Sequence, residues 1–458
     1  MLQVLKFIQS ILSTPSIFVG ILALIGLIIQ KESPQNCIKG TIKTILGFVI
    51  LGAGADVVQQ AIIPFGDLFQ VAFHVEGVVP NNEAITALAL NQYAFNTASI
   101  FALAMVFNII LARLSNLKFI FLTGHHTLYM SCLVAILFSI AGMQGAQLVV
   151  SGSLLMAFLM VFFPAIMQPT MKKITGENNL AIGHFGSGCY WLSAQIGKLF
   201  ANDKKKVSTE DIKFSQGLSF LRENTVSISI AMFLCYIVIA TIAEVKVPTE
   251  AAPIFGDNNF VVYSILQSIK FSAGIYIVLA GVRMLINEIV PAFKGISEKV
   301  VPNAIPALDC PIVFPFAPNA VLIGFLSSFV GGILAMLVLA FASKGVNALP
   351  IILPGVVLHF FCGGTAGVAG NANGGLKGCI FGSFVHGVVA TFLAAGLFPI
   401  LADLGFRGTT FADTDFTLVG IIFGNLAKMK AATLISIICV VLYVLPILCG
   451  LLFSKKQK

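Results

Sequence analysis

The stretch GAQLVVSGSLLMAFLMVFFPAIM, residues 145–167, contains no Asp, Glu, Lys or Arg. A helix needs roughly 20 mostly apolar residues to cross the hydrocarbon core of a bilayer, and this run supplies that length with no charge to bury. Comparable runs recur at roughly 14–30, 41–63, 84–112, 119–141, 226–244, 259–287, 319–341, 349–362, 376–402 and 430–453. Only helices and closed barrels satisfy their backbone in lipid. The runs are too long and too uniformly apolar for barrel strands with alternating faces. The fold class expected is therefore an all-α polytopic membrane protein of about eleven spans. The run at 349–362 is short and flanked by glycine, so it reads either as a full span or as a re-entrant piece.

Composition agrees. The chain is 58% hydrophobic and 10% charged, with mean hydropathy +0.98, whereas a soluble domain is nearer one quarter charged. Its net charge of +8 reads as cytoplasmic loops of a membrane protein rather than as a nucleic-acid surface. Nine cysteines are scattered, mostly within apolar runs, and none forms a C-x-x-C pair. Neither a zinc site nor a redox motif is indicated, and the cysteines read as small apolar filler. No cofactor or metal is expected. Met1 to Phe18 reads as a short amphipathic lead into the first span, without a small-residue cleavage site.

One loop is strongly basic, from Lys198 to Lys213, with Lys204, Lys205 and Lys206 in succession; the chain ends Lys455, Lys456, Gln457, Lys458. The positive-inside rule puts both in the cytoplasm. The six spans between them are the even number this requires, and the five before the loop put the N-terminus outside.

An internal repeat links the halves. After the second span come Pro64-Phe65, then Val78-Val79-Pro80-Asn81, then Ala84-Ile85. After the seventh come Pro291-Ala292-Phe293, then Val300-Val301-Pro302-Asn303, then Ala304-Ile305. The fourth and ninth spans each have a polar break, Thr123-Gly124 and Pro354-Gly355. A unit of five spans must insert its second copy upside down, and inverted repeats mark alternating-access transporters. The expected organisation is a first inverted repeat over 1–200, a basic cytoplasmic loop over 201–225, a second repeat over 226–402, and a final span and cytoplasmic tail over 403–458.

Polar groups within a membrane are costly and usually face a cavity, so they locate the candidate site. In Leu122-Thr123-Gly124-His125-His126-Thr127-Leu128-Tyr129, Gly and Thr loosen the helix, and freed backbone groups need a water-filled or ligand-filled site. His125 can donate to a polyhydroxylated solute; the alternative is a histidine satisfied by a neighbouring helix, and whether His125 or His126 points inward stays open. In Gly183-His184-Phe185-Gly186, the glycines permit close backbone approach to a ligand. In Pro306-Ala307-Leu308-Asp309-Cys310-Pro311, dense prolines interrupt helices. Asp309 reads as a ligand contact, a helix cap, or both. Asn81-Asn82-Glu83 is the first-repeat counterpart of the Asp309 segment, or else a polar surface loop. The glycines through Phe361–Lys377 lack the Lys-Ser/Thr of a phosphate loop and read as a flexible or re-entrant segment. Arg283 and Glu288 read as an ion pair or an interface contact.

These stretches resemble the ascorbate-specific membrane component, enzyme IIC, of the bacterial phosphotransferase system. The resemblance is carried by Lys39-Gly40-Thr41-Ile42-Lys43-Thr44-Ile45-Leu46-Gly47-Phe48, Leu122-Thr123-Gly124-His125, Ile182-Gly183-His184, Gly281-Val282-Arg283-Met284, Phe293-Lys294-Gly295-Ile296-Ser297, and Asp309-Cys310 with Phe316-Ala317-Pro318-Asn319-Ala320-Val321. They run in family order over nearly the whole chain. The resemblance implies a homodimer of eleven-span protomers in the bacterial inner membrane, each with a mobile core domain and a V-shaped dimer domain. It also implies elevator-type uptake of L-ascorbate, phosphorylated by a separate phosphorylated IIB protein with IIA upstream. Family substrate contacts fall on His125, His184 and Asp309, and approximately on Asn82 and Glu83; Tyr129 shapes the pocket. No phosphoryl-carrying residue is expected in this chain.

Three departures from the family pattern stand out. Glutamines are replaced at Tyr129 and Met130, a glutamine run is replaced at Phe185-Gly186-Ser187, and the Asn82-Glu83 positions differ. They remove amide donors and acceptors, which bears on the sugar. The alternatives are a IIC component for another sugar or polyol, and an ion-coupled secondary transporter without phosphotransfer. A channel fits least, because the polar groups cluster instead of lining a track.

Overall fold

The computed structural model describes residues 14–73, 78, 80–202, 207–212, 224–342, 350–403 and 409–454. Lys204 to Lys206, Lys213 and the C-terminal lysines, with much of the expected 201–225 loop, lie outside the described residues.

Helices dominate, as a chain with so few charges requires. Helix α1 (Pro15–Ile29) leads into α2 (Pro34–Phe73) and α3 (Asn82–Leu114). Then come β1 (Phe119–Phe121), α4 (Gly124–Ile140), α5 (Gly145–Thr175), β2 (Ala181–Ile182) and α6 (Ser187–Lys198). The second half runs α7 (Asn224–Lys246), α8 (Pro248–Phe255), α9 (Phe260–Lys299), β3 (Ile305–Leu308), α10 (Pro318–Ala342), α11 (Gly364–Asp403), α12 (Thr414–Lys428) and α13 (Ala432–Ser454). Among the described residues, seven helices are long and apolar enough to cross a membrane. Large apolar side chains such as Ile38, Ile42, Leu266, Ile269, Val440 and Val441 stay exposed on them, as lipid-facing surfaces do.

Two groups of helices divide the packing. Helices α1, α2, α7 and α9 pack on one another, and Lys43 of α2 pairs with Glu288 of α9 at 2.9 Å. Glu288 is thus bound to α2 rather than to Arg283. The second group packs α6 and α10 against α11, and α3, α4 and α13 around α5. The glycine-rich stretch before Lys377 is helical but turns back on itself: a Cβ on Gly370 would lie 2.2 Å from Gly378 O, eight residues on, so the two sides of Gly375 face each other as the arms of a re-entrant hairpin. Its small residues let helices touch at backbone distance; a Cβ on Gly367 would lie 2.4 Å from Ala320 O of α10. The helix breaks only at Gly375, whose φ of 64° suits glycine.

The run expected at 349–362 is not one helix. Residues 350–355 are extended, Val356–Leu358 form a helical turn, and His359–Gly363 form a π-helical turn that continues into α11. Likewise the run expected at 119–141 starts as β1 and becomes helical only at Gly124. Both differences come from backbone pairing across the chain. β1, β3 and β2 form a parallel sheet with β3 in the centre: Phe121 is opposite Ala307, and Ile182 is opposite Leu308. A second, smaller set repeats the arrangement. Val78 pairs in parallel with Ile352, and Asn81 N–H donates to Thr410 O at 2.9 Å.

Between α6 and α7, the turn Thr209–Asp211 is docked onto the second group. Thr209 N–H donates to Asn371 Oδ1 (3.0 Å), and Ala320 N–H, in the first turn of α10, donates to Glu210 Oε1 (3.1 Å). Partial burial there holds the Glu210 carboxyl above its ordinary value.

Candidate functional site

Each strand of the sheet delivers a polar residue from its C-terminal end. Leu122 N–H donates to Ala307 O (2.9 Å) and Gly183 N–H to Leu308 O (2.6 Å), continuing the pairing beyond β1 and β2. Gly183 must be glycine-sized, since a Cβ there would lie 2.4 Å from Ala307 O. The chains then diverge: β1 leads to His125 and His126, β2 to His184, and β3 to Asp309. Ligands of parallel sheets sit beyond the carboxyl ends of the strands, and these residues line a cavity of about 470 Å³.

Asp309 both caps and faces the cavity. Its Oδ1 accepts from Cys310 N–H at 2.7 Å, starting the 3₁₀ helix Cys310–Phe316. His125 Nε2 lies 3.5 Å from Asp309 Oδ2, and His184 Nε2 lies 3.7 Å from Oδ1. Both separations exceed a normal hydrogen bond, so the carboxylate and the two imidazoles surround a space instead of closing it. His184 Nδ1 is 3.0 Å from Tyr190 OH, which fixes that ring from behind. Tyr129, one helical turn beyond His125, also lines the cavity.

The opposite lip comes from the second set of paired segments. Asn82 opens α3, accepts from Ala412 N–H at 2.8 Å, and donates from Nδ2 to Asp413 Oδ2 at 2.5 Å. Cys362 Sγ donates to Asp413 Oδ1 at 2.8 Å. Glu83 follows Asn82 in the first turn of α3; its side chain lies outside the described residues. Helix α2 forms the far wall with Asp56, Asp67 and Gln70.

Both histidines of the pair line the cavity, His126 more buried than His125. Asp413 and Cys362, which the sequence reading does not single out, line it too, as does Cys310 beside Asp309. For Asp413 there was a signal: Asp413 and Asp415 are acids between the apolar segments Phe411-Ala412 and Phe416, and intramembrane acids are functional by default. Asp415 is a joint instead. It accepts from Gly188 N–H at 3.2 Å and donates its own N–H to Phe185 O at 3.0 Å, joining the N-termini of α6 and α12. Among the described residues, three groups bring one potential ligating atom per residue within 4.8 Å: His125, His126 and Asp309; His126, His184 and Asp413; His184, Asp309 and Cys310.

The family model described as the sugar-specific permease component of the PTS system matches residues 10–415. The chain belongs to that family. It is also similar to a Mycoplasma pneumoniae protein named "Ascorbate-specific PTS system EIIC component", at 27% identity over 428 residues, covering 82% of this chain. The chain spans 63% of that relative's length. A multi-pass membrane protein is what the family and the apolar helices indicate.

The geometry also sorts the departures from the ascorbate pattern. Phe185 is fully buried, stacked on Phe121 at 5.0 Å, and Met130 is fully buried in the α3–α5 core. Neither side chain lines the cavity, so the lost glutamines there are not lost cavity contacts. Of these positions, Tyr129 and Asn82 face the space a solute would fill.

Proposed function

We propose that this chain is the translocation component of a phosphotransferase system, taking up L-ascorbate or a related sugar acid while a separate phosphorylated IIB protein, with IIA upstream, phosphorylates it. The observation that carries the reading is the convergence of three strand ends on one cavity. They present His125, His184 and Asp309 around an open space, in a chain of the sugar permease family whose relative is named for ascorbate. In this reading imidazole N–H groups donate to the acid's anionic and carbonyl oxygens, and Asp309 accepts from a hydroxyl. Asn82, Glu83 and Tyr129 complete the binding site.

Transport is of elevator type: the group carrying the sheet and the cavity moves against α1, α2, α7 and α9, which hold the dimer together in the bacterial inner membrane. The C-terminus and the basic loop face the cytoplasm, where IIB docks. Phosphorylation there makes uptake one-way, because the enlarged product, carrying a phosphate's charge on top of the acid's own, no longer fits.

Paired strands support an inverted repeat. The segment after the long helix α2 (Val78) pairs with the segment after α10 (Ile352), and the segment after the long helix α9 (Ile305) pairs with the segment after α3 (Phe119). Each half thus exchanges the same two positions with the other, which a pseudo-twofold relation requires. In this reading Asn82 is the counterpart of Asp309, and Asp413 the counterpart of His184.

A second reading keeps the machine and changes the cargo to another sugar or polyol; the phenol of Tyr129 in the cavity is what favours it. The test is uptake of labelled L-ascorbate into vesicles with and without a phosphorylated IIB partner. Partner-dependent accumulation of the phosphate ester is expected. Uptake driven by an ion gradient without that partner would replace the reading with a secondary transporter, and uptake of other sugars alone would move the substrate.

A further inference from the structure

The three imidazoles of the cavity are not equivalent. Phe185 N–H points at His126 Nδ1, 3.3 Å away. A backbone amide can only donate, so Nδ1 of His126 must accept and carry no proton. In the neutral ring the proton then sits on Nε2. The peptide that makes this assignment is pinned at its other end: His184 O accepts from Ser187 Oγ at 2.7 Å and from Ser187 N–H at 3.2 Å. The ring has little freedom to turn. It stacks on Phe416 at 5.3 Å and 19°, and its centroid lies 3.8 Å from that of His184. With Nδ1 taken, Nε2 is the polar atom His126 has left to offer the cavity it lines.

The neighbouring rings have no such lock. His184 Nδ1 meets the Tyr190 hydroxyl, which can donate or accept, so either tautomer is satisfied. The His125 side chain is 38% exposed, and no backbone amide fixes its tautomer among the described residues.

We infer that His126 is the fixed hydrogen-bond donor of the cavity, and that its Nε2–H marks the subsite for an anionic oxygen of the solute, an enolate or a carboxylate. The inference rests on the sugar-acid reading above and adds which atom takes the charge. A hydrogen bond to an ionised oxygen is about twice as strong as a neutral one, and a site built around a hydrogen bond rejects a ligand that cannot complete it. The inference also decides against a resident metal at the His126, His184 and Asp413 group. Ligation through Nε2 of His126 needs its lone pair, hence a proton on Nδ1, where the Phe185 amide already points.

The experiment is nitrogen-15 NMR of the intact protein in nanodiscs with labelled histidine, His126 being assigned by its loss in His126→Gln. The expected spectrum has an unprotonated Nδ1 and a protonated Nε2, whose resonance moves when L-ascorbate is added. A proton on Nδ1 overturns the inference. Binding of L-ascorbate and of the neutral polyol xylitol to the same samples supplies the second readout. His126→Gln, which keeps an N–H donor, should hold ascorbate within about threefold, and His126→Leu should lose at least tenfold for ascorbate and under threefold for xylitol. Equal losses for both probes, no loss for either, or Zn²⁺ binding that His126→Gln abolishes, would each overturn it. A wild-type protein that ignores L-ascorbate refutes the substrate reading instead, and the tautomer is then decided by the resonance alone.

Discussion

Among the described side chains, each lip of the cavity presents a carboxylate, and the two are held differently. Asp309 has imidazoles at 3.5 and 3.7 Å, beyond hydrogen-bond contact, and its side chain is 16% exposed. Asp413 is closed in, bonded to Asn82 at 2.5 Å and to Cys362 at 2.8 Å. A carboxylate with open valences exchanges partners when a solute arrives. One whose bonds are already made within the protein holds segments together, here the start of α3, the π turn and the start of α12. The same chemical group thus recognises on one side and braces on the other.

Replacement of each carboxylate tests that division. Asp309→Asn should lower L-ascorbate affinity by about 2–3 kcal/mol, roughly 30- to 150-fold, with little change in thermal unfolding; binding in nanodiscs beside a melting curve checks both. Unchanged affinity would remove Asp309 from the site. Asp413→Ala should show the opposite profile, a stability loss of about 2 kcal/mol with a smaller loss of affinity. If affinity collapses while the melting temperature holds, the lips have been assigned the wrong way round.

The departure at Tyr129 sharpens the recognising side. Tyr129→Gln should shift affinity for L-ascorbate by about 1 kcal/mol, roughly fivefold, because one polar contact at the cavity wall changes. A competition assay against neutral polyols reads it, and a gain for ascorbate with a loss for polyols would favour a polyol as the natural cargo.

The smallest effect is expected away from both lips. The docked Glu210 carboxyl sits above its ordinary value, so the docked turn binds protons more readily than the released one. Docking is then strongest in acid, below the ordinary carboxylate range, and weakens as pH rises through the raised value. Hydrogen exchange at Thr209 N–H should quicken slightly from pH 5 to 8 beyond its intrinsic pH dependence, and Glu210→Gln should remove that excess.

What the sequence showed, and what it hid, follows from the range of the interactions involved. The helices α10 and α13 lie within two residues of the runs at 319–341 and 430–453, and α5 starts with the run at 145–167 and extends eight residues past it, since crossing lipid is a local demand on length and polarity. His125 was legible because a polar group in an apolar run stands out, His184 and Asp309 because glycines and prolines surround them, and family motifs lie around all three. The strands were not legible. β1 holds three residues at the start of an apolar run and β2 two residues outside any run, too short to show a period of two, and the β3 backbone that pairs with both lies far along the chain. Arg283 and Glu288 suggest an ion pair because they are five residues apart on one helix, while the partner that Glu288 takes, Lys43, lies 245 residues away.

By itself, the sequence determined that the chain spans a membrane as helices, which family it belongs to, and which polar residues have no place in lipid without a cavity. Only the tertiary structure decided that His184 meets Asp309, that Asp413 faces Asn82, that Phe185 and Met130 turn into packed cores, and which nitrogen of His126 is taken. Composition and length act residue by residue along the chain. Pairing, side-chain direction and tautomer depend on atoms brought together from distant segments, and a linear pattern does not record them.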